Sequence, residues 1–186
     1  MLERFAMVAL LAGAMLAGAQ PSSAQNSLLD PVKAQWENTR NLVTGIVGQV
    51  PEDLYDFKPT PEVRSFREQF THLIAENYRF MSQAAGQDAP VDVAAIEQLK
   101  GRDEIIKALN ASYEYGATVW ADMTEEKATE MIPGRGGQQQ MRLAPILLNI
   151  VDNNDHYGNL VVYVRLNGMV PGRSAGRQPQ AQQPRR

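Results

Sequence analysis

No cysteine occurs anywhere in the 186 residues. Disulfide staples are therefore excluded, so a chain of this size must hold together by packing alone. Thiolate metal ligands and a cysteine nucleophile are excluded with them. Histidine is almost as scarce. His72 and His156 are the two in the chain, so any imidazole-based chemistry must use one or both. Long apolar runs are missing after residue 18, which leaves no later stretch able to span a bilayer. An excess of basic charge is missing too: the formal net charge is −3, too small to give nucleic acid a broad electrostatic footprint.

What is present fits one globular domain. Hydrophobic residues make up 44% of the chain and charged residues 21%, enough for a single core at this length. Residues 5–18 are rich in Ala, Leu and Met, follow a short segment with one basic side chain, and precede small residues suited to cleavage. That is the layout of a secretory signal peptide. Cleavage is placed after Ala24, a retained anchor being the alternative. The expected division is a leader over residues 1–24, a domain over 25–171, and a flexible tail over 172–186, where four Arg stand among Gln and Pro with no acid. A periplasmic or secreted location follows from the leader.

Apolar residues at helical spacing predict four long helices. Asp30-Pro31 reads as an N-cap followed by the first helical position, and Pro51 closes that helix near Val50. Ser65 and Glu68 form a capping box that opens a second helix, ended by Gly86. The connection between these two holds prolines, with Tyr55 and Phe57 as packing anchors. A polar stretch over residues 87–102 is long enough to cross along a bundle, with a short helix at 93–99. The third helix is expected over 103–123, with Ile105, Ile106, Leu109, Tyr113, Ala117 and Trp120 as its buried stripe. Residues 124–140 carry too many glycines for one regular element throughout.

The last helix, residues 143–167, is unusual. At about 100° per residue, Asn149, Asp152, Asn153, Asn159 and Tyr163 fall on the side of His156. Apolar residues flank them, and Asn154, Gly158 and Arg165 lie opposite, so the His156 side is expected to face inward. Buried polar groups need partners, which makes this stripe either a hydrogen-bonded network or a ligand site. Asp152 and His156, spaced i and i+4, stack on one face and have the donor types to hold a divalent cation. An ordinary ion pair is the plainer alternative. Periodicity places His72 on the polar face of its own helix, beside Glu68, Glu76 and Arg79.

Two stretches carry a family resemblance. Residues 153–167 (NNDHYGNLVVYVRLN) followed by Gly168 and Pro171, together with residues 55–66 (YDFKPTPEVRSF) running into 69–72 (QFTH), resemble the DinB-like proteins, the DinB/YfiT superfamily. The resemblance spans about residues 30–171. It implies an all-α fold, a four-helix bundle of DinB/YfiT type with a long crossover connection. It also implies a metal site built from one His of the second helix and an H-x-x-x-H pair of the last. On this chain those positions are His72, Asp152 and His156, with Asp standing where the family has His. Two imidazoles and one carboxylate still suit Zn, Ni, Mn or Fe(II) when positions stay open. Asp155 or Asn159 is expected to orient an imidazole from behind.

The implied chemistry is that of a metal-dependent hydrolase or thiol-dependent transferase acting on a small molecule of unknown identity. No residue is assigned as catalytic acid, base or nucleophile. The alternative is a non-catalytic envelope protein with a degenerate site, in which the polar stripe is structural. A homodimer along one helix is compatible with either reading.

Overall fold

The computed structural model describes residues 27–174. The expected leader over 1–24 therefore lies outside the described residues, as does the expected tail beyond residue 174. Four long helices form the body: α1 (Leu29–Gln49), α2 (Phe66–Ala85), α4 (Arg102–Ala121) and α6 (Leu143–Leu166). Two short helices, α3 (Val93–Ile96) and α5 (Glu125–Thr129), lie in the connections. The fold is all-α but for one small hairpin, in which β1 (Met131–Pro133) pairs antiparallel with β2 (Gln139–Met141). Gly136 and Gly137 turn the chain there at positive φ, a conformation open to glycine at little cost.

Pairings between side chains give the helix directions. Along α1 and α6, Trp36 meets Asn149 and Thr39 meets Asn154, so these two run parallel. Along α2 and α6, Asn77 meets Asn149 while Gln69 meets Tyr163, so these run antiparallel. Helices α2 and α4 run parallel, with Asn77 against Ser112 and Ser82 against Tyr115. A parallel neighbour requires a connection that returns along the bundle. The segment carrying α3 is that crossover, tied to α2 by Arg79 and Glu97 at 3.0 Å.

The helix ends follow local chemistry. Ser65 Oγ accepts from Glu68 N at 3.2 Å while Ser65 N donates to Glu68 Oε2 at 2.7 Å, the reciprocal cap expected at the start of α2. Gly86 closes that helix at φ +73°. Gly168 closes α6 in the same left-handed conformation, with Gly168 N donating to Arg165 O and Met169 N to Val164 O. The start of α1 differs from expectation. Asp30 sits in the first turn and the cap position is Leu28, whose N–H donates to Glu125 Oε1 at 2.8 Å. Ser27 Oγ accepts from Leu29 N at 3.1 Å and donates to the same Glu125 carboxylate at 2.9 Å, so a serine held by a distant acid caps the helix.

The core lies between the four helices. Tyr55 is fully buried, with its ring 5.3 Å from that of Phe70, and Phe57 packs against Phe66 and Tyr163, so both aromatics pin the first connection as expected. In α4 the buried stripe leans off the expected one. Ser112, Gly116 and Val119 are buried, while Ile106 and Ala117 are half-buried. The cause is Trp36, which packs so closely on α4 that a Cβ built on Gly116 would lie 2.7 Å from Trp36 Cζ2. Gly158, in the middle of α6, has no such reason. A Cβ there would meet nothing within 4 Å, although glycine at that position costs about 1 kcal/mol relative to alanine.

At mid-height a polar network crosses the core. Asn77 Oδ1 accepts from Asn149 Nδ2 and from Asn153 Nδ2, each at 2.8 Å, and Asn77 Nδ2 donates to Ser112 Oγ at 3.0 Å. Trp36 Nε1 donates to Asn149 Oδ1 at 3.1 Å, and the Tyr113 hydroxyl donates to Asn153 Oδ1. Burial keeps the Tyr113 phenol protonated by pushing its pKa far up. All four long helices contribute, and the three amides are at most 1% exposed. Replacing Asn77 by Ala leaves Asn149 Nδ2 without an acceptor and Asn153 Nδ2 with the Asn149 carbonyl alone, and is expected to cost about 3 kcal/mol, read as a lowered urea midpoint with an unchanged m value. Gly116→Ala is expected to destabilise by about 1–3 kcal/mol through overpacking against Trp36, by the same measurement.

Candidate metal centre

One turn beyond the amide network, α2 and α6 bring the chain's two imidazoles together. The ring centroids of His72 and His156 are 5.2 Å apart, edge to face. His72 is half-buried rather than on an open surface, because the face of α2 that periodicity assigns to solvent lies under the crossover and the loop before α2. It lines a cavity with Lys58, Arg64, Glu68, Thr71 and Glu97.

His156 is 5% exposed, and a chain of hydrogen bonds decides its tautomer. The Tyr163 hydroxyl donates to Arg64 O at 2.9 Å, so its oxygen is left to accept from Gln69 Nε2 at 3.5 Å. The Gln69 amide is thereby oriented with Oε1 toward the ring, 2.6 Å from His156 Nδ1. A carbonyl oxygen can only accept, so Nδ1 carries the hydrogen and Nε2 of the neutral ring presents its lone pair. The role expected of Asp155 or Asn159 falls instead to Gln69. Both of the former are exposed, and Gln69 comes from the facing helix.

The lone pair of Nε2 faces Asp152 Oδ1 at 3.6 Å, and Asp152 Oδ2 is buried with no hydrogen-bond partner. Two acceptors turned toward each other, one with a second unsatisfied oxygen, call for a cation or a proton between them. Their separation suits two ligands each about 2.1 Å from a shared ion. The pair therefore fits a divalent metal in donor type and spacing. His72 stands beside the pair rather than within it. Among the described residues no group of three or more His, Asp or Glu side chains is drawn together closely enough to hold an ion.

The electrostatics of the centre are those of buried groups. Desolvation pushes the Asp152 carboxyl up to about 6, with Glu76 adding to the rise. Desolvation lowers both imidazoles, and Arg64 lowers them further. Arg64 is exposed at the mouth. It lines the cavity beside His72 and a second one formed with Gln69, Asn159, Val162 and Tyr163. Gln69 and Arg64 received no role from sequence alone, although both lie in or beside the stretches that carry the family resemblance. A buried glutamine one turn before a histidine is the available signal.

Comparison with known proteins follows the same line. The sequence profile of the DinB superfamily matches residues 35–160. No curated protein matches. Among solved structures, a DinB-like protein from Bacillus subtilis is similar in fold, with a TM-score of 0.62 at 22% identity over 76% of this chain and 94% of the other. A DinB-like protein from Bacillus cereus has a TM-score of 0.59 at 12% identity, over 75% and 93%. A mycothiol-dependent maleylpyruvate isomerase has a TM-score of 0.57 at 12% identity, over 71% of this chain and 60% of its own. Identities this low show a common fold.

Two measurements test the geometry. In the metal-free protein the neutral His156 ring is expected to carry its hydrogen on Nδ1, seen in long-range proton–nitrogen correlations of the imidazole, and Gln69→Leu is expected to move it to Nε2, toward Asp152. The second concerns pH. Asp152 ionises less readily folded than unfolded, so its contribution is fully favourable below about pH 4 and is lost as pH rises through about 6. Asp152→Asn is therefore expected to stabilise the metal-free protein at pH 7.5 by about 2 kcal/mol and to give no gain at pH 4. The lowered imidazoles act oppositely, removing stability as pH falls below about 6.5. Melting curves in chelator at both pH values separate the two.

Proposed function

The chain belongs to the DinB superfamily, and from that premise we propose that it is an exported, divalent-metal-binding protein whose ion is held by Asp152 and His156 with His72 as the third ligand. The observation that carries this reading is the pair of facing acceptors, His156 Nε2 and Asp152 Oδ1, 3.6 Å apart beside an orphaned Asp152 oxygen. Gln69 holds the His156 ring so that its lone pair points at the ion position. The lowered pKa of both imidazoles keeps them neutral and able to ligate. His72 has to swing from its place beside the pair to complete the set. A bound divalent metal in such an open site supplies Lewis acidity, which makes a coordinated water or thiol a nucleophile at neutral pH.

Metal-dependent hydrolysis of a small molecule is the reaction class this donor set supports. Thiol-dependent transfer is the second form, motivated by the fold shared with a mycothiol-dependent isomerase. Low-molecular-weight thiols are concentrated in the cytoplasm, so an exported chain favours hydrolysis. Zn, Ni, Mn and Fe(II) all suit two nitrogens and one carboxylate. The competing reading, a non-catalytic envelope bundle, draws on the carboxylate at position 152 and on His72 standing outside the pair.

Elemental analysis of residues 25–186, purified without a histidine tag, is expected to give near one equivalent of a transition metal, and His156→Ala little. Added metal is expected to raise the melting temperature of the parent by an amount that corresponds to about 2.7 kcal/mol at a hundredfold excess over the dissociation constant, and not that of the variant. Asp152→His is expected to tighten Zn or Ni binding. Metal content unchanged by both His72→Ala and His156→Ala would sink the proposal.

A further inference from the structure

The connection between α1 and α2 ends on a charge that the fold does not use. Near the candidate centre Lys58 pairs with Glu68, Arg67 with Asp56, and Arg79 with Glu76 and Glu97, whereas among the described residues no carboxylate pairs with the Arg64 guanidinium. The backbone beneath it is nevertheless fixed. The Arg64 carbonyl accepts from the Tyr163 hydroxyl at 2.9 Å, in the same chain of hydrogen bonds that orients His156. Pro59, Pro61 and the 2.8 Å pair of Lys58 with Glu68 stiffen the segment that leads to it. A free side chain on an anchored backbone suits a ligand contact, because no protein partner has to be given up and little backbone order has to be gained on binding.

Arg64 stands where two cavities meet, and with Glu62 and Val63 it forms the wall between them. One cavity holds His72 and Thr71. The other, about 570 Å³, is lined by Pro59, Val63 and Val162 on its apolar side and by Gln69, Asn159 and Tyr163 on its polar side. That volume is ordinary for a small-molecule site. The guanidinium charge is also felt at the centre, where it adds to the desolvation that lowers both imidazoles. A group bound at Arg64 is therefore within electrostatic reach of the ion position.

We propose that Arg64 is the anion-binding residue of this site and that its ligand is a small monocarboxylate with an apolar body, the carboxylate on the guanidinium and the body over Val63 and Val162. As a statement about substrate this rests on the metal-centre reading, while the binding itself does not. A planar guanidinium offers two parallel N–H donors that match the two oxygens of a carboxylate. Glu62, Glu68 and Glu97 line the cavity beside His72. Lys58 and Arg79 offset the last two, so one unpaired cation faces a surplus acid, which suits a single negative charge and disfavours a dianion such as phosphate. Val63 and Val162, 38% and 53% exposed, supply apolar surface on the same side.

The test uses residues 25–186 in chelator, so that a carboxylate has no metal to coordinate. Proton–nitrogen NMR titration with sodium hexanoate is expected to shift the Gln69 side-chain amide and the Arg64 Nε signal, saturating with a dissociation constant on the order of 1–10 mM, the range for a ligand of so few atoms. The same body without the charge, 1-hexanol, is expected to bind about tenfold more weakly, and inorganic phosphate no more tightly than hexanoate. Arg64→Gln is expected to weaken hexanoate about tenfold or more and to leave hexanol unchanged. Its fold is expected to survive, because the side chain is exposed and the carbonyl that Tyr163 uses remains. Hexanoate and hexanol binding alike, hexanoate undiminished in the variant, phosphate binding more tightly, or no saturable shift at Gln69 would each overturn the proposal. Metal content, measured separately, decides the other reading. A chain that holds metal and ignores hexanoate sinks this inference alone, and one that binds hexanoate and no metal sinks the metal centre and leaves Arg64 as a carboxylate site.

Discussion

One carbonyl oxygen, Asn77 Oδ1, accepts from two amides of the facing helix at 2.8 Å each. Buried away from water, Asn149 Nδ2 has no other acceptor and Asn153 Nδ2 keeps only the Asn149 carbonyl, so a slip of α2 against α6 by one turn would leave amide hydrogens unpaired at a cost far above that of rearranging apolar contacts. Trp36 and Tyr113 extend the same constraint to α1 and α4. The network therefore sets the register of the bundle as well as adding to its stability. With α2 and α6 locked at mid-height, Gln69 and His72 arrive opposite His156. The geometry of the candidate centre is a consequence of amides one turn away.

Much of this was legible in the chain itself. The inward polar side of α6 follows from helical periodicity, and part of it is the hydrogen-bonded network that was one of the two alternatives. Asn149 and Asn153 form the hydrogen-bonded network, and Asp152 and His156 form the candidate ligand pair. The capping box at Ser65 and the glycine stops were also readable, because such signals are local. What escaped was decided by contacts distant in sequence. Asp30 lost its capping role to Ser27, whose hydroxyl is held by Glu125 almost a hundred residues away. His72 looked exposed because periodicity cannot see the crossover lying over α2. Gln69 acquires its meaning only when His156 is placed against it. The hairpin around Gly136 and Gly137 is built from strands of three residues, too short for an alternating pattern to register. The family carries the fold with it, while the candidate site rests on one pair of side chains whose neighbours had to be placed in space.

The centre itself is a compromise between burial and charge. Its carboxylate is hard to ionise and its imidazoles are hard to protonate, both for the same reason of lost solvation. Neutral imidazole suits ligation, whereas an ionised carboxylate has to be won back by a cation. Arg64, at the entrance, tilts the balance toward neutral imidazoles and an ionised Asp152 without touching any of the three.

The separation of network and centre along α6 has a consequence for how such a protein changes over generations. Helix register rests on Asn77, Asn149 and Asn153, so position 152 is free of the architecture. A lineage can exchange a histidine for an aspartate there, and with it the preferred ion or the whole activity, while the scaffold folds as before. The amide ladder gives the bundle a fixed chassis on which a neighbouring site is free to drift, lapse or be rebuilt.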